Sequence, residues 1–508
     1  YSDGYIDRAS SNLKGYFLQG SYYKDRTNIK FIAFGGHERT YQAWYGLDQE
    51  TLSTNRKFNY AGMYFNDDGD QFFYDKQEDN YKQDHYQLIF NHKINPSWRA
   101  NLTFHYTHGR GYYEEYNEDQ NLSDYLIFDN NGEVISDLIR RKWLDNDFYG
   151  SLFNFIYEKS SSKLILGGTL NKYFGDHFGE VIWARNAGNS EIRHRYYDNY
   201  GNKEEFNLFA KFQHTFNDKL YAFVDLQNRN INYDAELIGG NNINKSFNFF
   251  NPKAGLYYKL NSNNEFYFSF ARAHREPTRT DYENGNPFPE KLDDFELGWK
   301  HKGKKSIYNI NLYFMDYNDQ LVLTGERDDV GYYIRANVGE SYRAGIEFDG
   351  IFFINDYFTI KPNITFSSNK NNDYLTQFDG SLRNFGKTDI SFSPNLIFGN
   401  TVEYNLNSKT LLFFNTKYVG KQYMSNTNVD SSVLASYLVN DLGLNYNFSI
   451  PGFSQDSELK LLVNNLLNQK YESYGGHYFY DIDNKTYSGS YFYPMAEINF
   501  LLGLDFNF

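Results

Sequence analysis

The sequence predicts an all-β chain: a transmembrane antiparallel β-barrel, with about 19 strands present of an expected 22. Three observations carry that reading. Alternating apolar and polar residues recur in segments along all 508 residues. The connections between those segments are short and long by turns. The chain is also 20% aromatic, with 49 Tyr and 47 Phe, yet its mean hydropathy is -0.71.

The last segment shows the alternation most cleanly. Ile498, Phe500, Leu502, Leu504, Phe506 and Phe508 fall on one face of an extended strand. Glu497, Asn499, Gly503, Asp505 and Asn507 fall on the other, with Leu501 the single breach. Successive side chains of a strand point to opposite faces, so one side is apolar and the other polar. The segment outlasts the ~5–6 residues usual in globular sheets and finishes on an aromatic, as membrane-spanning barrels do. Its soluble alternative is the edge strand of a large sandwich.

Earlier segments repeat the pattern. Leu220, Ala222, Val224 and Leu226 alternate with Tyr221, Phe223, Asp225 and Gln227; Tyr308, Ile310, Leu312 and Phe314 alternate with Asn309, Asn311, Tyr313 and Met315. Phe358, Ile360, Ile364 and Phe366 interleave with Thr359, Lys361, Asn363 and Thr365. Each has one set suited to lipid and one suited to a wet interior.

Short connections fall at 24–27, 95–97, 160–162, 217–218, 261–264, 302–305, 355–356, 407–408 and 451–456, rich in the Asn, Asp, Ser, Gly and Pro of tight turns. Long ones cover roughly 36–80, 109–144, 175–201, 234–245, 276–290, 369–386, 420–430 and 471–488, with a shorter one near 325–331. Sorting of this kind belongs to a barrel with tight turns on one side of a membrane and large loops on the other. A propeller or sandwich has no reason for it.

Composition narrows the function. No run approaches the ~18 apolar residues of a membrane helix, so any spanning falls to strands. Zero Cys excludes disulfides and thiol catalysis, and a net charge of -14 argues against a general nucleic-acid binder. No signal peptide opens the chain. An odd strand count, with the first strand running from the long-loop side, predicts missing N-terminal material, because bacterial barrels hold even numbers of strands.

Specific residues then resemble the barrel domain of TonB-dependent outer-membrane receptors. Ser2-Asp3-Gly4-Tyr5-Ile6-Asp7 with Asn12-Leu13-Lys14 is similar to an early loop and strand of that family, and Tyr41-Gln42-Ala43-Trp44-Tyr45-Gly46 to its next loop. Arg275-Glu276-Pro277-Thr278-Arg279, Pro289-Glu290-Lys291-Leu292 and Glu296-Leu297-Gly298 resemble the central box, continued by Tyr313 to Val322, Asn337-Val338 and Gly345-Ile346-Glu347. Val463 to Tyr471 resembles the penultimate strand, and Phe508 the terminal aromatic. The likeness covers essentially residues 1–508, as a barrel domain incomplete at its N-terminus, with the plug domain outside this chain.

That resemblance implies an outer-membrane receptor that binds a scarce nutrient at its outer loops and imports it with TonB energy. A ferric siderophore or similar metal chelate leads; cobalamin, haem and oligosaccharide are alternatives, as are a passive porin and an adhesion barrel. Implied partners are the lipid bilayer, the TonB-ExbB-ExbD complex reached through the plug, and a surface lipoprotein. Neither nucleic acid nor a resident cofactor is expected.

Aromatic faces pack flat organic cargo and Arg offers paired donors to its oxygens. The expected cargo-binding residues are therefore Tyr41, Trp44, Tyr45, Arg110, Tyr112, Tyr113, Trp183, Arg275 and Arg279, with Tyr116, Arg185, Arg193, His194, Tyr196, Tyr197 and Tyr282 in the same clusters. The bland reading is that such residues brace loops. His105 and His108 fall on opposite faces of a strand and make poor co-ligands. Where haem receptors of the family carry paired boxes with a histidine between, this chain reads His274-Arg275-Glu276-Pro277 and Asn286-Pro287-Phe288-Pro289 with none between. Four Met residues argue against a soft copper site. The acidic runs 66–70, 114–119 and 481–484 lack the full oxygen pattern of a calcium loop. No grouping of catalytic residues is found, so an enzyme is not expected.

Overall fold

The computed structural model describes all residues except 67, 129–131, 133, 238–241, 328–332 and 508, with backbone alone at 327, 455 and 507. Phe508, Asp67 of the acidic run, and parts of the connections 109–144, 234–245 and 325–331 lie outside the described residues. The described chain forms one antiparallel sheet of 20 strands. One of these is only the pair Thr388–Asp389, which leaves nineteen strands of nine residues or more, as expected.

Every short connection sits where the turn residues predict, and several share one device. Asn95 Oδ1 accepts hydrogen bonds from the amides of Ser97 (2.9 Å) and Trp98 (3.0 Å). Asn217, Asn355 and Asn407 repeat it with the amides two residues on, at 2.8–2.9 Å. The side chain takes over a backbone acceptor's role and so fixes the tight turn locally.

The chain divides into two compact units. The first comprises 1–45, 55–214 and 225–251; the second 46–54, 215–224 and 252–508. In the first unit the strands Trp98–Asn121, Ile135–Lys159 and Ser162–Ala184 run for 24, 25 and 23 residues. A membrane crossing takes about 9–11 residues. The connections expected at 109–144 and 175–201 are thus largely strand: cross-strand pairing continues through Tyr112↔Trp143 and Glu115↔Arg140 and slips only after Asn117. Polar and aromatic residues on both faces of 109–121 conceal that continuation from an apolar/polar pattern.

In the second unit strands are shorter, 13 residues for Glu290–Lys302 and Ser306–Asn318 and 14 for Glu340–Phe353 and Phe358–Asn371. Their apolar faces are open: Leu297 and Phe366 are each 50% exposed and Leu312 45%, whereas Asn311 on the opposite face is buried. A wall with its greasy side outward is stable in hydrocarbon and not in water. On the polar face aromatic rings lie down onto facing glycines. A Cβ at Gly298 would meet the Tyr267 ring at 1.9 Å, and one at Gly443 the Phe413 ring at 1.9 Å. These pairs sit directly opposite in register.

The long connections of the second unit fold into small hairpins, Leu321–Arg327 with Tyr333–Asn337, Leu375–Phe378 with Ser381–Asn384, and Glu472–Ile482 with Lys485–Pro494. Buried polar side chains lock them. Asn426 Nδ2 donates to Leu323 O (2.9 Å), while its Oδ1 accepts from the Ser391 amide (2.9 Å) and from Asn371 Nδ2 (3.3 Å). One amide therefore joins three connections.

Candidate functional site

At the long-connection end of the first unit, strand register places two carboxylates and two guanidinium groups. Glu114 faces Arg141 and Glu115 faces Arg140 across the ladder. Glu114 Oε2 accepts from Arg141 Nε at 2.7 Å, and Glu115 Oε2 from Arg140 Nε and Nη2 at 3.1 and 2.9 Å. Both glutamates are buried. Being adjacent, they occupy opposite faces of the strand, one ion pair on each.

The Glu114 face carries aromatics. Tyr116 has ring centroids 4.7 Å from Tyr64, 6.0 Å from Tyr74 and 6.3 Å from Trp183. Its hydroxyl donates to Asp137 Oδ2 (2.9 Å), which also takes Arg185 Nη2 at 2.7 Å. The Tyr74 hydroxyl donates to Glu114 Oε1. Burial pushes the Tyr74 and Tyr116 phenols well up, and the carboxylates they bond push further, so both stay neutral donors. Trp183 and Arg185 remain substantially exposed at the edge.

Of the expected residues, Trp183 joins this patch directly, with Tyr116 and Arg185 of the same clusters. The Tyr41 hydroxyl donates to Ala61 O (3.1 Å) and Tyr74 O (2.9 Å), holding the segment that delivers Tyr64 and Tyr74. Tyr112 and Tyr113 point to opposite faces, Tyr112 against Trp143 (4.6 Å) and Tyr113 against the edge of Trp44 (5.2 Å, 71°). Arg110 sits 5.3 Å from the Trp143 ring centroid with Nε 3.3 Å from Asp145. Tyr45 is half-exposed. Arg193 pairs with Glu180 (3.0 Å), and Tyr196 packs on Tyr125 at 4.8 Å.

Arg275 and Arg279 belong to the second unit. Arg275 Nη2 ties Glu290 Oε2 and Leu321 O, both at 2.9 Å. Arg279 opens the short helix Arg279–Glu283 and pairs with Glu283 at 2.8 Å; Thr278 and Asp281 close a capping box before it. Both act as braces. His105 and His108 do lie apart, His105 Nε2 on Asn171 and His108 Nδ1 on Asp147, each at 3.0 Å. Among the described residues no three His, Asp or Glu side chains gather closely enough to hold a metal.

What this geometry offers chemically is a set of flat ring faces bordered by guanidinium groups already neutralised by carboxylates. Such faces are chemically suited to planar organic groups, and guanidinium groups paired with carboxylates present no bare charge. Tyr64 and Tyr74 escape sequence reasoning because only the folded 55–75 segment brings them to Tyr116.

Residues 21–466 match the family model described as TonB dependent receptor-like, beta-barrel. Among solved structures, the ferric-catecholate import receptor Fiu from E. coli K12 superposes with a TM-score of 0.67 at 16% identity, over 99% of this chain and 76% of its own. The siderophore receptor PiuA from Acinetobacter baumannii gives 0.69 at 13% identity, over 99% and 75%. Ferric citrate transporter FecA gives 0.71 at 14%, over 98% and 70%. No curated protein sequence matches the chain.

Proposed function

The chain belongs to the TonB-dependent receptor β-barrel family, and on that premise we propose that it is the barrel of an importer of a ferric siderophore or similar metal chelate. The family is one of outer-membrane receptors for nutrient import, and the exposed apolar faces of the strands suit a bilayer. Tyr64, Tyr74, Tyr116 and Trp183 supply the capture surface, with Arg185 at its border. That patch is the single observation carrying the cargo reading: it combines stacking faces with guanidinium donors. TonB-ExbB-ExbD acts through the plug of the whole receptor, and a surface lipoprotein is its companion outside the cell.

The test is uptake of radio-iron chelates by iron-limited cells carrying the receptor, with and without functional TonB. Uptake that requires TonB and falls at least tenfold in the Tyr116→Ala/Trp183→Ala variant supports the proposal; each stacked ring contributes enough for that order of loss. High single-channel conductance of the intact protein, or no chelate binding at all, overturns it in favour of a porin or another cargo.

A further inference from the structure

The tight turn 302–305, in the second unit, carries a charge pattern that import of a cargo does not explain. It reads Lys302-Gly303-Lys304-Lys305, three cations in four residues. Other short turns mix signs, as Lys24-Asp25-Arg26 and Asp218-Lys219 do. All three lysines are exposed, and among the described residues none forms an ion pair. The turns on either side, 261–264 and 355–356, add a single carboxylate, Asp356. The carboxylates next along the strands, Glu265 facing Lys300 and Asp349 facing Asn309, lie on the polar side of the sheet.

Backbone bonds hold the turn between its neighbours. Gly303 N donates to Ser306 O (2.7 Å), Lys302 N to Asn263 O (2.8 Å) and Phe353 N to Lys305 O (2.9 Å). The lysines therefore leave from a fixed base. Directly behind them, on the open apolar face that carries Leu297 and Leu312, lies a bed of rings. Register sets Trp299 beside Phe266 and Ile310, and His301 beside Asn264 and Tyr308. Trp299 Nε1 donates to Asn264 Oδ1 (3.1 Å), which also lies 3.0 Å from His301 Nδ1. Tyr308 stacks on His301 at 4.7 Å and 19°, stands edge-on to Trp299 at 5.2 Å and 87°, and stacks with Phe352 at 6.4 Å.

The order of these layers selects the occupant. Apolar side chains, then flat rings with polar tips, then unpaired cations match the acyl chains, ester region and phosphate of a phospholipid. Three lysines against one carboxylate favour an anionic head over a zwitterionic one, whose own ammonium they repel. A soluble anion would use the lysines and leave the rings bare. We propose that the 302–305 turn and the ring bed behind it form a binding site for an anionic glycerophospholipid, in the leaflet on the tight-turn side of the membrane. The inference rests on the strands crossing a bilayer and is independent of the cargo.

The intact receptor, purified in detergent, would be equilibrated with equal amounts of phosphatidylglycerol and phosphatidylethanolamine, and the lipid it retains counted by native mass spectrometry. Phosphatidylglycerol is expected to be preferred. That preference should fall about fivefold or more in Lys302→Gln/Lys304→Gln/Lys305→Gln. It should survive in Lys387→Gln/Lys421→Gln/Lys485→Gln, which removes the same charge from the long connections. A second readout fixes the place: phosphatidylglycerol with brominated chains should quench tryptophan fluorescence more than its phosphatidylethanolamine counterpart, and Trp299→Phe should abolish the difference. Equal retention of the two lipids, a preference that the turn variant leaves unchanged or that both triple variants lose alike, or a quenching difference that persists in Trp299→Phe each overturns the proposal alone. Retention of neither lipid overturns it together with the bilayer reading. An unchanged melt of the turn variant in lipid-free detergent separates lost contact from lost fold.

Discussion

The two units build their long connections differently. The first carries its sheet onward, so partners are set by register: Glu115 meets Arg140 because residue faces residue across the ladder. The second stops its strands early and gathers small hairpins by side-chain bonds between residues far apart in sequence, with Asn426 bonding Leu323 and Ser391. Contacts set by register fail in pairs and stay local. A buried side-chain node fails as a group, because every segment it holds is released together.

The sharpest way to break this contrast is Arg140→Met, which strands a buried glutamate and should cost about 3–5 kcal/mol in denaturant unfolding. Adding Glu115→Leu should recover most of that loss; a single variant no worse than Arg99→Met at an exposed pair would show that register pairing is idle. Next comes Asn426→Ala, expected to cost about 2–3 kcal/mol. Hydrogen exchange should quicken at 321–327 and 388–393 together, while 112–116 and 138–143 keep their protection.

A pH scan sharpens the second unit further. Burial pushes His477 down to about 4 from its ordinary 6.5. An opened hairpin binds the proton below about 6.5 while the closed one refuses it until about 4, so its stability falls as pH drops through that interval. His477→Gln should flatten the dependence, seen as exchange protection factors at 472–482 that no longer fall on acidification. Smallest is Tyr116→Phe, about 1 kcal/mol from the lost bond to Asp137, with stacking and chelate affinity largely kept.

Much of the fold is legible from the residues because its signals are local. Asn at the head of several tight turns bonds amides two residues on, and Leu312 and Phe314 alternate with Asn311 and Tyr313 whatever lies elsewhere. The site is less legible. Treating 109–144 as loop hides the alternation that sends Tyr112 and Tyr113 to opposite faces. Nothing local to Arg275 announces its bonds to Glu290 and Leu321, which come from other segments. Tyr64 and Tyr74 give no signal, since their meeting with Tyr116 depends on how a connection folds back.

Rings resting on glycine, Tyr267 on Gly298 and Phe413 on Gly443, have a mechanical corollary. Large side chains that stood upright would give the polar surface teeth; recumbent ones leave it almost level. A body pressed against such a lining shears past it with little to climb, whereas a toothed one would seize. Replacing either glycine by valine would roughen the bearing while leaving the oily side of the strand untouched.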